Sequence, residues 1–195
     1  MALGNSSNAI YLTISDGKII RQFKSATAQS TERTTKTGKL VHEEKYDYVE
    51  GMITSINTRE NDYGKFWVIG LQDGSDNYNI QFNYSGGTAS AFLKILPNVD
   101  LTKAVKIQPS QRIENDKKKS SLFISQGGTT LKWFWNKDNA GELPPLEKLK
   151  VKGKEVWDDS KQMEYLENYV NTEIKPQLTS APVAVDNDSE EDAPF

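Results

Sequence analysis

Between Tyr46 and Gln126 short runs of alternating apolar and polar residues are separated by turn-forming clusters, and this punctuation constrains the fold more than any other feature. Tyr46–Thr58 reads as a long strand, and Gly51 inside it signals a bulge or a tight bend. The turn Asn61-Asp62-Tyr63-Gly64 leads to a second strand, Lys65–Gln72; Asp73-Gly74-Ser75-Asp76 leads to a third, Asn77–Tyr84. Gly86-Gly87-Thr88 then precedes a short helix, Ala89–Leu96, with Ser85 or Thr88 as its cap and Pro97 as its stop. Lys103–Glu114 and Ser120–Gln126 complete the set as two strands around a polar tip, Asn115–Lys119.

Three strands, a short helix and two more strands is the element order of an OB-fold, a five-stranded Greek-key barrel. A small β-sandwich is the other all-β solution and does not need the helix. Ahead of this block, Ile10, Leu12 and Ile14 alternate with polar residues up to Asp16-Gly17, so Ala9–Ser15 and Lys18–Phe23 form a β-hairpin. Residues 25–39 have almost no large apolar side chain and read as a basic loop, with Arg33, Lys36 and Lys39 as a flap. Thr129–Trp135 reads as one more strand. In it Trp133 and Trp135 share one face and Phe134 the other; one set is core, and the second seals the barrel against the C-terminal helix. Met163, Leu166, Tyr169, Val170 and Ile174 fall on one face of a C-terminal helix over Trp157–Ile174. The expected organisation is a mainly β domain over residues 1–178 and a disordered acidic tail over 179–195.

A chain of 195 residues suits one domain with appended segments. It has no cysteine and one histidine, which excludes disulfides, thiolate metal sites and a Cys nucleophile. His42 stands in a charged stretch without a nucleophile to serve. Asp73-Gly74-Ser75-Asp76-Asn77 lacks the spacing of a calcium loop, and Gly86-Gly87-Thr88 is no P-loop. The chain therefore reads as a non-enzyme without metal or cofactor. No run of eighteen apolar residues and no basic leader is present, so the expected location is the cytoplasm, without membrane contact. The net charge of −3 divides unevenly: five acids and no Lys or Arg lie in residues 179–195, leaving 24 basic and 22 acidic residues, or +2, in the rest.

Strand alternation divides the barrel aromatics. Trp67, Ile69 and Leu71 point inward with Tyr78, Ile80 and Phe82. Phe66, Asn79, Gln81 and Asn83 then face outward on strands two and three, where OB-folds hold oligonucleotides. Arg59, Tyr63 and Lys65 belong to the tip between strands one and two, and Lys117, Lys118 and Lys119 to the tip between strands four and five. Those two tips flank an OB-fold groove, where cations track phosphates and aromatics stack bases.

The last residues supply a sharper signal. Asp186, Asp188, Glu190, Glu191 and Asp192 precede Pro194 and Phe195. An acidic run alone is a solubilising tail, but an aromatic at the end of one suits insertion into a partner's pocket. An acidic tail ending in Pro-Phe resembles the C-terminal tip of bacterial and bacteriophage single-stranded DNA-binding proteins. The segments Asp116–Lys119, Ser121–Gly128 and Leu131–Trp135, with LPPLEKLKVKGKEVWD after them, are similar to the last barrel hairpin of the phage-type members. The resemblance implies a sequence-independent single-stranded DNA-binding protein, monomeric for preference. It would act in replication, recombination and repair, and recruit replication or recombination proteins through the tail. Two other readings stay open: a β-barrel interaction or virion component, and an RNA-binding OB module.

Overall fold

The computed structural model describes residues 9–35, 37–151 and 153–178. Their strands are β1 (Ile10–Ser15), β2 (Lys18–Phe23), β3 (Thr31–Thr34), β4 (Leu40–Tyr46), β5 (Val49–Asn61), β6 (Gly64–Asp73) and β7 (Asp76–Asn83). Helix α1 (Gly87–Ile95) follows, then β8 (Val105–Glu114), β9 (Lys117–Gln126), β10 (Thr129–Thr130), β11 (Glu147–Val151), β12 (Lys154–Asp158) and helix α2 (Ser160–Tyr169). The fold is mainly β. None of the described helices is long and apolar enough to cross a membrane.

Ten strands form one sheet in the order β10-β9-β8-β5-β6-β7-β1-β2-β4-β3, and β11 and β12 form a separate ribbon. All pairs are antiparallel except β1 with β7. A closed five-stranded barrel is not formed among the described residues: β7 pairs with β1, and β9 does not reach β7. The N-terminal hairpin occupies that position. Its Asp16-Gly17 turn lies against β8, so close that a Cβ on Gly17 would stand 2.7 Å from the Gln111 nitrogen. A Cβ on Gly87, at the start of α1, would stand 1.9 Å from the Ser120 carbonyl oxygen of β9. Bare backbone at these two glycines lets the β1–β2 turn approach β8 and the start of α1 approach β9 without strand pairing.

Strand β5 organises the sheet. Val49, Glu50 and Gly51 pair with β8, and from Met52 onward the strand pairs with β6. A bulge between Ile53 and Ser55 adds one residue and reverses the alternation. Val49, Gly51 and Ile53 are buried before it, and Ile56 after it. Gly51 does not form the bulge itself. Its Cβ position lies 2.8 Å from the Gln72 carbonyl, so the glycine serves a close crossing of β5 and β6.

The core lies between the sheet and the helices. Ile56, Trp67, Ile69, Leu71, Ile80, Phe82 and Ile107 meet Phe92 and Leu93 of α1. Neither Ser85 nor Thr88 caps α1; Gly86, at φ 101°, takes the cap position with no side-chain bond. The C-terminal helix starts later than its periodicity predicts. Trp157 belongs to β12, and the Ser160 N–H donates to the Asp158 carboxylate at 3.1 Å to open α2. Met163, Leu166, Val170 and Ile174 are buried on one face, the last two in a wider π-type turn that ends at Lys175–Gln177.

Residues 25–39 are not a free loop. They contain β3, and Arg33 is bound to the buried Glu43 carboxylate at 2.6 Å. Lys36 lies outside the described residues. The strand expected over Thr129–Trp135 stops at Thr130. Beyond it, Trp135 inserts edge-on against Tyr165 and Tyr169 of α2, with 4.9 Å between the Trp135 and Tyr169 centroids. Trp133 stays exposed, with the Lys94 ammonium 5.4 Å from its ring centroid. Trp135→Ala therefore destabilises by about 3–5 kcal/mol in denaturant unfolding, and Trp133→Ala by about 1 kcal/mol at most. Equal losses would show that the exposed ring also carries the packing.

Candidate functional site

The reversal of alternation in β5 decides which side chains share the outer face of β5, β6, β7 and β1. The register aligns three rows across these strands. Arg59, Phe66 and Asn83 form the first; Asn57, Val68, Gln81 and Thr13 the second; Ser55, Gly70, Asn79 and Tyr11 the third. None of these eleven residues is Asp or Glu, and four carry carboxamides. Arg59, Asn83 and Tyr11 are exposed, Tyr11 to 63%. The face thus offers amides that both donate and accept, one guanidinium and an accessible ring, on rigid strands.

A cleft of about 250 Å³ cuts into one end of this face. Phe66, Gln81 and Asn83 line it with Asp16, Gly17, Ser85, Gly86, Gly87, Ser110 and Ser120. It lies where β7 fails to reach β9. Phe66 shares the outer face, as the alternation predicts, but is only 4% exposed. Its ring lies among the residues lining the cleft and is not an open stacking platform. Asn79 stands one row beyond the cleft, beside Tyr11.

The cations are distributed differently from the expectation. Lys65 has the parity of Trp67, Ile69 and Leu71, and its side chain runs to the inner side. There its ammonium donates to both Glu167 oxygens of α2, at 2.9 and 2.7 Å, and lies 4.1 Å from the Tyr84 ring centroid. Lys117, Lys118 and Lys119 are strand residues of β9, because the turn between β8 and β9 is Asn115-Asp116, both at positive φ. Lys118 bridges to Asp16 at 2.8 Å and Lys119 to Glu114 at 2.9 Å. The Lys118 bridge links β9 to the turn between β1 and β2, and its hydrogen bond, with a second from Gln111, holds the Asp16 carboxyl below its usual range. Lys117 and Arg59 form no ion pair among the described residues. Tyr63 is exposed in the turn between β5 and β6, away from the cleft. Arg59, Phe66, Asn79, Gln81 and Asn83 thus come together, and Tyr63, Lys65, Lys117, Lys118 and Lys119 do not join them. The tail residues Asp186, Asp188, Glu190, Glu191, Asp192, Pro194 and Phe195 lie outside the described residues.

Two members of the face, Tyr11 and Asn57, escape a reading of single strands. Tyr11 joins only through the parallel pairing of β1 with β7, and Asn57 only through the bulge. No protein-family model matches the chain, and no curated protein or solved structure matches it.

Behind the face, Glu167 accepts from Lys65, Tyr84 at 2.7 Å and Thr58 at 3.1 Å. Burial works to raise its carboxyl, but the bonds from Lys65, Tyr84 and Thr58 outweigh it and hold the group below the usual range. Burial, and then the bond to Glu167, push the Tyr84 hydroxyl up. A carboxyl with a lowered folded value contributes stability above its unfolded value, near pH 4, and that stability is lost as pH falls through the folded value. Glu167→Gln costs about 1–3 kcal/mol at neutral pH, and the difference from wild type shrinks in acid. Urea unfolding at several pH values tests this; a gap that stays constant into acid overturns it.

Proposed function

We propose that the chain binds single-stranded DNA without sequence preference and performs no catalysis. The observation that carries this reading is the three carboxylate-free rows on the outer face of β5, β6, β7 and β1, with Arg59, Tyr11 and four carboxamides across four paired strands. Bases stack on exposed rings, and splayed bases and sugars present donors and acceptors that amides match. The order of three strands, helix and two strands, with β5 paired to both β6 and β8, supports an OB-type scaffold whose second and third strands carry the ligand. The open edge beside the cleft departs from that scaffold, and the N-terminal hairpin supplies Tyr11 in compensation. In this proposal the acidic residues 179–195 recruit replication or recombination proteins through Phe195 and compete with DNA for the face.

Anisotropy of labelled poly(dT), poly(U) and duplex, titrated across salt, tests the reading. Poly(dT) binds best. Arg59 is the cation of this face that forms no ion pair among the described residues, so log K falls with log salt at a slope of about −0.7, for about one phosphate. A preference for poly(U) would favour an RNA-binding module, and no binding to either single strand would overturn the proposal. Arg59→Ala and Tyr11→Ala each weaken binding by about ten-fold, whereas Lys65→Ala leaves affinity unchanged. Removal of residues 179–195 strengthens DNA binding and abolishes recruitment; unchanged affinity removes the competition.

A further inference from the structure

The outer surface of β8 and β9, with the residue just before β5, carries a second set of groups that the site above does not use. Tyr48 precedes Val49, which pairs with Ile107, so Tyr48 stands beside Gln108; Gln108 in turn pairs with Phe123. Both rings are exposed, each to 48%. The row below holds Glu50, Lys106 and Ser125, and the Lys106 ammonium lies 3.7 Å from the Tyr48 ring centroid. Further along, Arg112 pairs with Lys119, and Lys117 follows on the same side of β9. Two exposed rings therefore stand two strands apart, roughly 10 Å, with an amide between them and cations on either side.

Strand β5 belongs to both surfaces. Its outward residues run from Arg59 through Asn57 and Ser55 to Met52 and Glu50, and Glu50 is the register partner of Lys106. A chain leaving the Arg59 face along β5 arrives directly at Tyr48 and Lys106. Singly exposed apolar residues are ordinary on any surface. Two rings flanking an amide with a lysine at ring contact, at the end of such a path, form a stacking step.

We propose that Tyr48 and Phe123, with Lys106, are a second stacking site that takes the continuation of the same single strand as it passes along β5 onto the surface of β8 and β9. This rests on the proposed single-strand reading and extends it from one face to a path around the sheet. The path predicts a dependence on ligand length. An oligo(dT) of about six nucleotides fills the Arg59 face alone, and one of about sixteen reaches both surfaces.

The experiment uses the full chain and a Tyr48→Ala/Phe123→Ala double variant, with both oligonucleotides, by anisotropy. Both substitutions are at exposed rings, and a Tyr48→Phe/Phe123→Tyr variant keeps the rings as a control. The Ala pair weakens the long oligonucleotide by about ten-fold or more and leaves the short one unchanged, while the ring-preserving pair leaves both unchanged. Lys106→Gln flattens the salt slope by about 0.7 for the long one only. If the wild type binds both and the Ala pair binds both equally well, the second site is overturned while the Arg59 face stands. If the Ala pair loses the short oligonucleotide as well, the surface is not a continuation, and the inference is overturned in that form. If the wild type binds neither, the single-strand reading itself falls.

Discussion

The single extra residue in β5, between Ile53 and Ser55, is the constraint on which the rest depends. The strand pairs with β8 through Gly51 and with β6 from Met52 on, so the bulge falls just after the change of partner. The parity change there turns Thr58 inward, toward Glu167, and Arg59 outward, beside Phe66. Without it, the apolar pattern of Val49 and Ile53 would run on unchanged and the two sets would exchange sides. One local irregularity thus separates the polar network that anchors α2 from the surface offered to a ligand.

That network is more than a peripheral bond. Glu167 collects Thr58 from β5, Lys65 from β6 and Tyr84 just after β7, while Trp67 donates to the Tyr84 carbonyl at 3.0 Å and stacks on its ring at 5.7 Å. Every donor in the group has a partner; no buried side-chain polar atom among the described residues lacks one. A satisfied cluster of this kind specifies where the helix sits, which apolar contact alone leaves adjustable.

Much of this was legible in the sequence. The strands from Lys65 to Gln126, the hairpin around Asp16-Gly17 and the buried face of α2 follow from alternation, turn chemistry and helical spacing. The inner position of Lys65 was also available, since it shares the parity of Trp67, but placing it in a turn concealed it. Other features rest on long-range pairing that periodicity does not encode: β1 alongside β7, Tyr11 beside Asn79, and Lys118 across to Asp16. The stretch His42–Lys45 looks like charged surface until Arg33 and Gln22 are seen to satisfy Glu43. The β11–β12 ribbon was hidden because Trp157 mimics the first residue of the helical stripe, while the alternation of Lys148, Leu149, Lys150 and Val151 is too short to stand out beside it.

Neighbouring residues on β5 and β6 serve opposite duties: Thr58 and Lys65 hold the helix, while Arg59 and Phe66 face the other way. Such interleaving treats two kinds of genetic change unequally. Substitutions at Arg59, Asn57 or Gln81 alter the surface by degrees and leave the interior alone. An insertion or deletion of one residue in β5 after the bulge would turn Arg59 toward the interior, and one in β6 would turn Lys65 toward the surface row. The turns at Asp62-Tyr63 and Gly74-Ser75 lie outside the paired strands and absorb a change of length, so the surface chemistry can vary freely only while the strands keep count.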